Sequence, residues 1–261
     1  GTADDIAAYG KTIFTRTLNN RWQGSEAPEI VYHDGYYYLF VAYDALDVPY
    51  NTRVLRSKNV DGPYETMNGK ITDAAKGANE EPTVLTHPYK FSAGSGWVGI
   101  SHCAVFDDGA GNWYYVSQQR MPANVAGIAA SNAIMMGGVR SIQWDSNGWP
   151  VVMPERYGAV PQAAITASEL EGTWGGIELS YEYGKQKTSK TFKLSSNGVM
   201  EGGSAWSNVK AWSFDASSNT LTIGTTKLKV QREVDWEASP RKVTIVYSGV
   251  SGNRSYWGKK N

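Results

Sequence analysis

The run Ser25-Glu26-Ala27-Pro28-Glu29-Ile30 stands a few residues before an aromatic stretch, Tyr36-Tyr37-Tyr38-Leu39-Phe40. A carboxyl on a proline-stiffened corner that leads into a buried strand is placed to give up a proton. Acid–base cleavage of a glycosidic bond takes a pair of carboxylates, and the sequence offers Glu26 no convincing partner. Glu29 is the local rival; it begins a strand and is expected to face solvent. Glu80-Glu81-Pro82 repeats the Glu-Pro pairing in a polar stretch with no aromatic strand behind it, and reads as a solvated loop.

Composition narrows the chemistry. The chain has 261 residues, 25 basic and 25 acidic, with a formal net charge of zero. No basic stripe calls for nucleic acid and no polybasic cluster calls for an anionic membrane. No run of about 20 apolar residues spans a bilayer. Cys103 is the single cysteine, so no intrachain disulfide forms and the fold rests on its core. The chain opens at Gly1-Thr2-Ala3-Asp4 without an initiator Met or signal peptide. That start is expected of a fragment, a processed product or a trimmed chain. Ten Trp and sixteen Tyr admit two readings. Flat rings stack on sugar faces, and aromatic pairs also hold antiparallel strands together.

The elements that position these residues read as all-β. Residues 29–66 carry a turn at His33-Asp34-Gly35, a strand Tyr36–Tyr43, a loop, a second strand Thr52–Arg56 and a turn at Asp61-Gly62-Pro63. Residues 102–152 repeat the layout, with a turn at 107–112, a strand from Trp113, a long loop, Gly138–Trp144 and a turn at Asn147–Pro150. Recurrence of a hairpin-plus-hairpin unit suggests propeller blades. A seam lies near Pro161–Thr166, with a short helical turn at Ala167–Glu171. Beyond it, Thr191–Leu194, Thr220–Ile223, Lys227–Val230 and Lys242–Ile245 alternate apolar and polar, as strands with one wet face do. The organisation predicted is a partial propeller over 1–164 and a small antiparallel β-barrel over 165–261.

Four ordered stretches resemble the glycoside hydrolase family 43 arabinanases. They are Ser25–Tyr32 with Gly35–Phe40; Tyr50–Ser57 with Asp61–Tyr64; Ile100–Phe106 with Gly111–Val116 and Arg120; and Arg140–Asp145 with Gly148–Val151. The tail from Leu170 to Lys260 resembles the β-barrel that follows the propeller in two-domain extracellular endo-arabinanases. The resemblance implies a five-bladed propeller with its site on the axis. It also implies endo-cleavage of α-1,5-linked arabinan with inversion, outside the cell. Three acidic residues serve that reaction in the family: a base, a pKa-tuning Asp and an acid. Glu26 matches the acid; the other two belong to earlier blades, upstream of Gly1. The expected partners are therefore arabinan oligosaccharides and a second polypeptide bearing the missing blades. An exo-acting arabinofuranosidase or xylosidase, or a non-catalytic sugar-binding protein, is the rival reading.

The resemblance also assigns His102 to a calcium ion near the axis, in a shell otherwise mostly of water. Read alone, His102 is a core histidine hydrogen-bonded in a strand. Cys103 should point to the opposite face as a small buried residue. Arg53 and Arg120 either hold sugar hydroxyls near the axis or make inter-blade ion pairs. Trp97, in the glycine-rich stretch 93–99, is either a stacking platform or a plug between blades. The tail holds Asp235, Trp236 and Trp257 but no cluster of acids or histidines; it either binds carbohydrate or docks on the propeller and buries part of it, and docking is the favoured reading.

Overall fold

The computed structural model describes residues 10–16, 24–70, 82–91, 94–196, 198–199, 206, 208–209 and 211–261. Glu80 and Glu81 lie outside them.

Two four-stranded antiparallel sheets make two blades. The first runs in the order β1 (Ser25–His33), β2 (Tyr36–Tyr43), β3 (Asn51–Ser57), β4 (Thr83–Thr86). After a two-residue strand β5 (Tyr89–Lys90), the second runs β6 (Val98–Asp107), β7 (Trp113–Arg120), β8 (Met135–Trp144), β9 (Pro150–Val152). In each blade the strands pair in sequence order. β2 reads YYYLFVAY, and its last six residues are all buried. A strand covered on both faces loses the apolar–polar alternation and reads as a continuous hydrophobic run. The first strands, β1 and β6, pack side by side, and β1 keeps exposed positions along most of its length.

A linker with a one-turn helix, α1 (Ala167–Leu170), leads into the C-terminal unit. The Glu169 carboxylate reaches back to the Thr166 N–H at 2.9 Å and starts that turn. Eight strands follow in one antiparallel sheet of order β13-β12-β10-β18-β17-β16-β15-β14. They are β10 (Gly172–Leu179), β12 (Lys190–Ser195), β13 (Gly198–Val199), β14 (Trp212–Asp215), β15 (Thr220–Ile223), β16 (Thr226–Asp235), β17 (Lys242–Ser251) and β18 (Arg254–Lys260). The short β11 (Lys187–Thr188) pairs in parallel with β5 of the propeller part.

This sheet buries both faces. On β17, Ile245 and Tyr247 join Trp174, Phe192, Leu221 and Leu228 in the core of the C-terminal unit. Val246 and Val250 point the other way, into a cluster with Tyr38, Phe40, Tyr89, Ile100 and Trp149 of the blades. The alternation of a strand thus feeds two cores from one element. Backbone bonds cross the seam as well: Val84 N–H donates to Asn253 O at 3.0 Å, and Ser255 Oγ donates to Val84 O at 2.6 Å.

Candidate active site

Glu26 does not sit on a corner ahead of its strand. It lies inside β1, where the register with β2 slips between Glu26 and Glu29. Pro28 has no N–H to give the ladder, and Ala27 takes φ 49°. A proline within a sheet is confined to edge strands, strand starts and bulges; β1 stands at the edge of its sheet and is bulged here, and a bulge bends the strand and re-aims a side chain. β6 does the same in the next blade: its register slips around His102, whose own φ is 55°. Two bulges on adjacent first strands turn Glu26 and His102 toward each other. Their side chains are 52% and 61% exposed, with His102 Nδ1 3.8 Å from Glu26 Oε1.

Tyr50, which the sequence reading did not single out, joins them. It precedes β3 and is fully buried. Its hydroxyl donates to Glu26 Oε1 at 2.5 Å and lies 3.1 Å from His102 Nδ1. Burial, then the hydrogen bond to Glu26 and that carboxylate's charge, push the Tyr50 phenol far above its usual range. It stays a neutral donor. The available signal was a tyrosine between Pro49 and Asn51 at a strand entrance. Among the described residues no second carboxylate hydrogen-bonds to Glu26.

Glu29 is not a free solvent-facing carboxylate; its Oε1 accepts the Val105 N–H at 3.4 Å and ties β1 to β6. Cys103 turns away from His102 and is buried; burial first, then the Glu29 charge, push its thiol up to about 12.

The other residues singled out are placed elsewhere. Arg53 is fully buried. It donates to Asn51 Oδ1 at 2.6 Å and Pro82 O at 2.9 Å, and its guanidinium covers the rings of Tyr43 and Tyr181. Tyr181 belongs to the C-terminal unit, so Arg53 clamps that unit to the first blade. Arg120 donates to Asn132 O at 3.0 Å and braces the loop between β7 and β8. Trp97 exchanges backbone hydrogen bonds with Tyr89 and packs against the shared core, with Arg156 5.3 Å from its ring centre. Among the described residues, no hydrogen bond, ion pair or ring contact joins Arg120 or Trp97 to Glu26 or His102.

Calcium takes roughly six to eight oxygen ligands. Around His102 the described residues offer one imidazole and one carboxylate already engaged by Tyr50. A calcium ion held at His102 would draw most of its oxygen ligands from water. The tail, in contrast, does contribute to an acidic cluster. Glu155, Asp235 and Glu237 converge, and Lys259 Nζ occupies their centre at 2.8, 2.8 and 2.9 Å.

Adjacent four-stranded blades, followed by an eight-stranded antiparallel sheet packed against them, are the architecture of a partial propeller with a C-terminal β domain. The chain belongs to glycosyl hydrolases family 43, whose profile matches residues 4–150, while a C-terminal lipocalin-like domain matches residues 154–258. It is 29% identical over 189 residues to the extracellular endo-alpha-(1->5)-L-arabinanase 2 of Bacillus subtilis, covering 65% of this chain and 38% of that protein. It is 26% identical over 279 residues to the extracellular endo-alpha-(1->5)-L-arabinanase of Thermotoga petrophila, covering 96% of this chain and 55% of the other. The crystal structure of endo-1,5-alpha-L-arabinanase from Thermotoga petrophila RKU-1 superposes with a TM-score of 0.74 at 24% identity, over 92% of this chain and 55% of that one. The chain thus spans about two-fifths to just over half the length of these relatives.

Proposed function

We propose that this chain forms part of an extracellular endo-arabinanase, with Glu26 as the general acid that protonates the leaving glycosidic oxygen. The convergence of Glu26 and His102 from adjacent first-strand bulges carries the reading. The endo-arabinanase relatives supply the substrate class, and their extracellular names supply the compartment. Among the described residues, no helix is long and apolar enough to cross a membrane.

An inverting cut needs a second carboxylate roughly 6.5–9.5 Å from the acid, with room for water between them. In this reading the base and the pKa-tuning Asp come from further blades, in the same longer protein or on a second polypeptide. Exposed apolar side chains on the second blade, Phe106 and Val139, and Tyr157 on the segment that leaves it, offer those blades a packing face. Water attacks the anomeric carbon from the side opposite Glu26 as the proton passes to the departing oxygen.

The test is Glu26→Ala in the complete enzyme, assayed on debranched arabinan. The expected loss is about 10²–10⁴-fold in kcat, and undiminished activity would overturn the assignment. A ladder of oligosaccharide products marks endo action; release of a single short product would contradict it.

A further inference from the structure

We infer that Tyr50 is a positioning residue that sets both which oxygen of Glu26 is left to carry the proton and which nitrogen of His102 carries its hydrogen. The inference rests on the reading of Glu26 as the acid.

A phenol has one hydrogen to donate and lone pairs to accept with. The Tyr50 hydrogen goes to Glu26 Oε1, at a separation in the range of charge-assisted O–H···O bonds. The contact with His102 Nδ1 must then run the other way, with the imidazole N–H donating to the phenolic oxygen. Nδ1 therefore carries a hydrogen, and in the neutral ring Nε2 keeps its lone pair as an acceptor. On Glu26, Oε1 is taken by Tyr50, and the acid's proton falls to Oε2. Glu26 and His102 are too far apart, at 3.8 Å, to bond directly, so the hydroxyl is the group that links them.

The three residues differ in exposure as this role requires. Glu26 and His102 are both more than half exposed, whereas Tyr50 is fully buried. The chain on either side of Tyr50 is pinned by a side chain: Asn51 Nδ2 lies 2.9 Å from Pro49 O, 3.0 Å from Asp44 Oδ2 and 3.4 Å from Tyr43 O. A rigid donor holding two exposed groups supplies the orientation that proton transfer needs.

The test compares Tyr50→Phe and Glu26→Ala in the complete enzyme on two substrates. One is debranched arabinan; the other is a nitrophenyl arabino-oligosaccharide, whose leaving group departs without a proton. Tyr50→Phe should lower kcat on arabinan by roughly 10- to 100-fold with little change in KM, and leave the nitrophenyl substrate nearly untouched. Wild-type rates on arabinan, or equal losses on both substrates, would overturn the inference. Full arabinan activity of Glu26→Ala would instead overturn the reading of the acid. The tautomer is read independently from the two-bond ¹⁵N–¹H couplings of His102 in the unmodified chain. Hydrogen on Nδ1 supports the inference even if Tyr50→Phe does not fold; hydrogen on Nε2 alone overturns it.

Discussion

The Lys259 ammonium lies 2.8 Å from Glu155, joining the last strand of the C-terminal unit to the segment that leaves the second blade. Asp235 and Glu237 close on the same nitrogen, and Lys259 is only 4% exposed. Burial works against the charge of Lys259, but Glu155 and Glu237 and the hydrogen bonds to Asp235 and Glu155 more than offset it and raise its pKa. Removing the ammonium leaves three carboxylates facing one another out of water. Lys259→Ala should cost about 3–5 kcal/mol of stability, read from urea or thermal unfolding. A loss below about 1 kcal/mol would show that water had replaced the lysine without penalty.

Gly258 sits directly opposite Tyr247 across β17 and β18. A Cβ at Gly258 would fall 2.0 Å from Tyr247 Cε1, and Tyr247 is fully buried among Trp174 and Phe192. The ring has nowhere to go, so Gly258→Ala should destabilise by about 1–3 kcal/mol. Gly252→Ala, at a turn where a new Cβ approaches only Asn68 at 3.8 Å, is a control for backbone strain because its φ is 61°.

Arg53 separates a clamp from a sugar ligand. It is enclosed by Tyr43, Tyr181, Asn51 and Pro82. Arg53→Met keeps the stem and deletes the fork, so it should lower stability by about 2–3 kcal/mol. KM for arabinan in the complete enzyme should stay within about twofold at temperatures where the variant is folded. A rise in KM without loss of stability would restore the sugar-binding role.

The aromatic and β-branched runs of β2, β3, β7 and β15 were legible because side-chain type, period and flanking turns agree. β10 and β18 were not, since Gly175, Gly176 and Gly258 make them read as loops. Those glycines are there because rings need the space: a Cβ at Gly176 would come within 2.8 Å of Phe192. Glu26 was legible from its motif as a candidate acid, but its setting was not. Pro28 suggested a corner, and only the pairing with β2 shows a bulge within the strand. Tyr50 and the Lys259 cluster were hidden for a different reason. Their members are brought together by stacking of blades and by the seam, and no local pattern encodes such distant contacts.

Two buried groups at that seam titrate in opposite senses. His87 accepts the Glu182 N–H at Nε2, 3.2 Å away, and burial foremost pulls it from 6.5 down to about 4. Its folded-state pKa lies below its unfolded one. The stability it contributes is therefore present above about pH 6.5 and lost as pH falls toward 4. Glu155 is raised from 4.5 to about 7, by burial first; the charge and hydrogen bond of Lys259 offset only part of that burial, and the charges of Glu237 and Asp235 add a smaller rise. Its contribution is present below pH 4.5 and lost as pH rises to about 7. Between pH 4.5 and 6.5 the two slopes oppose each other. Glu155→Gln should remove the rising-pH loss and leave a protein that weakens on acidification relative to wild type. His87→Gln should do the reverse and weaken as pH rises. Thermal midpoints at pH 4.5, 5.5 and 6.5, taken as differences from wild type, cancel the remaining groups, His33 among them. Differences that do not change with pH in either variant would mean that both residues keep one protonation state across this window.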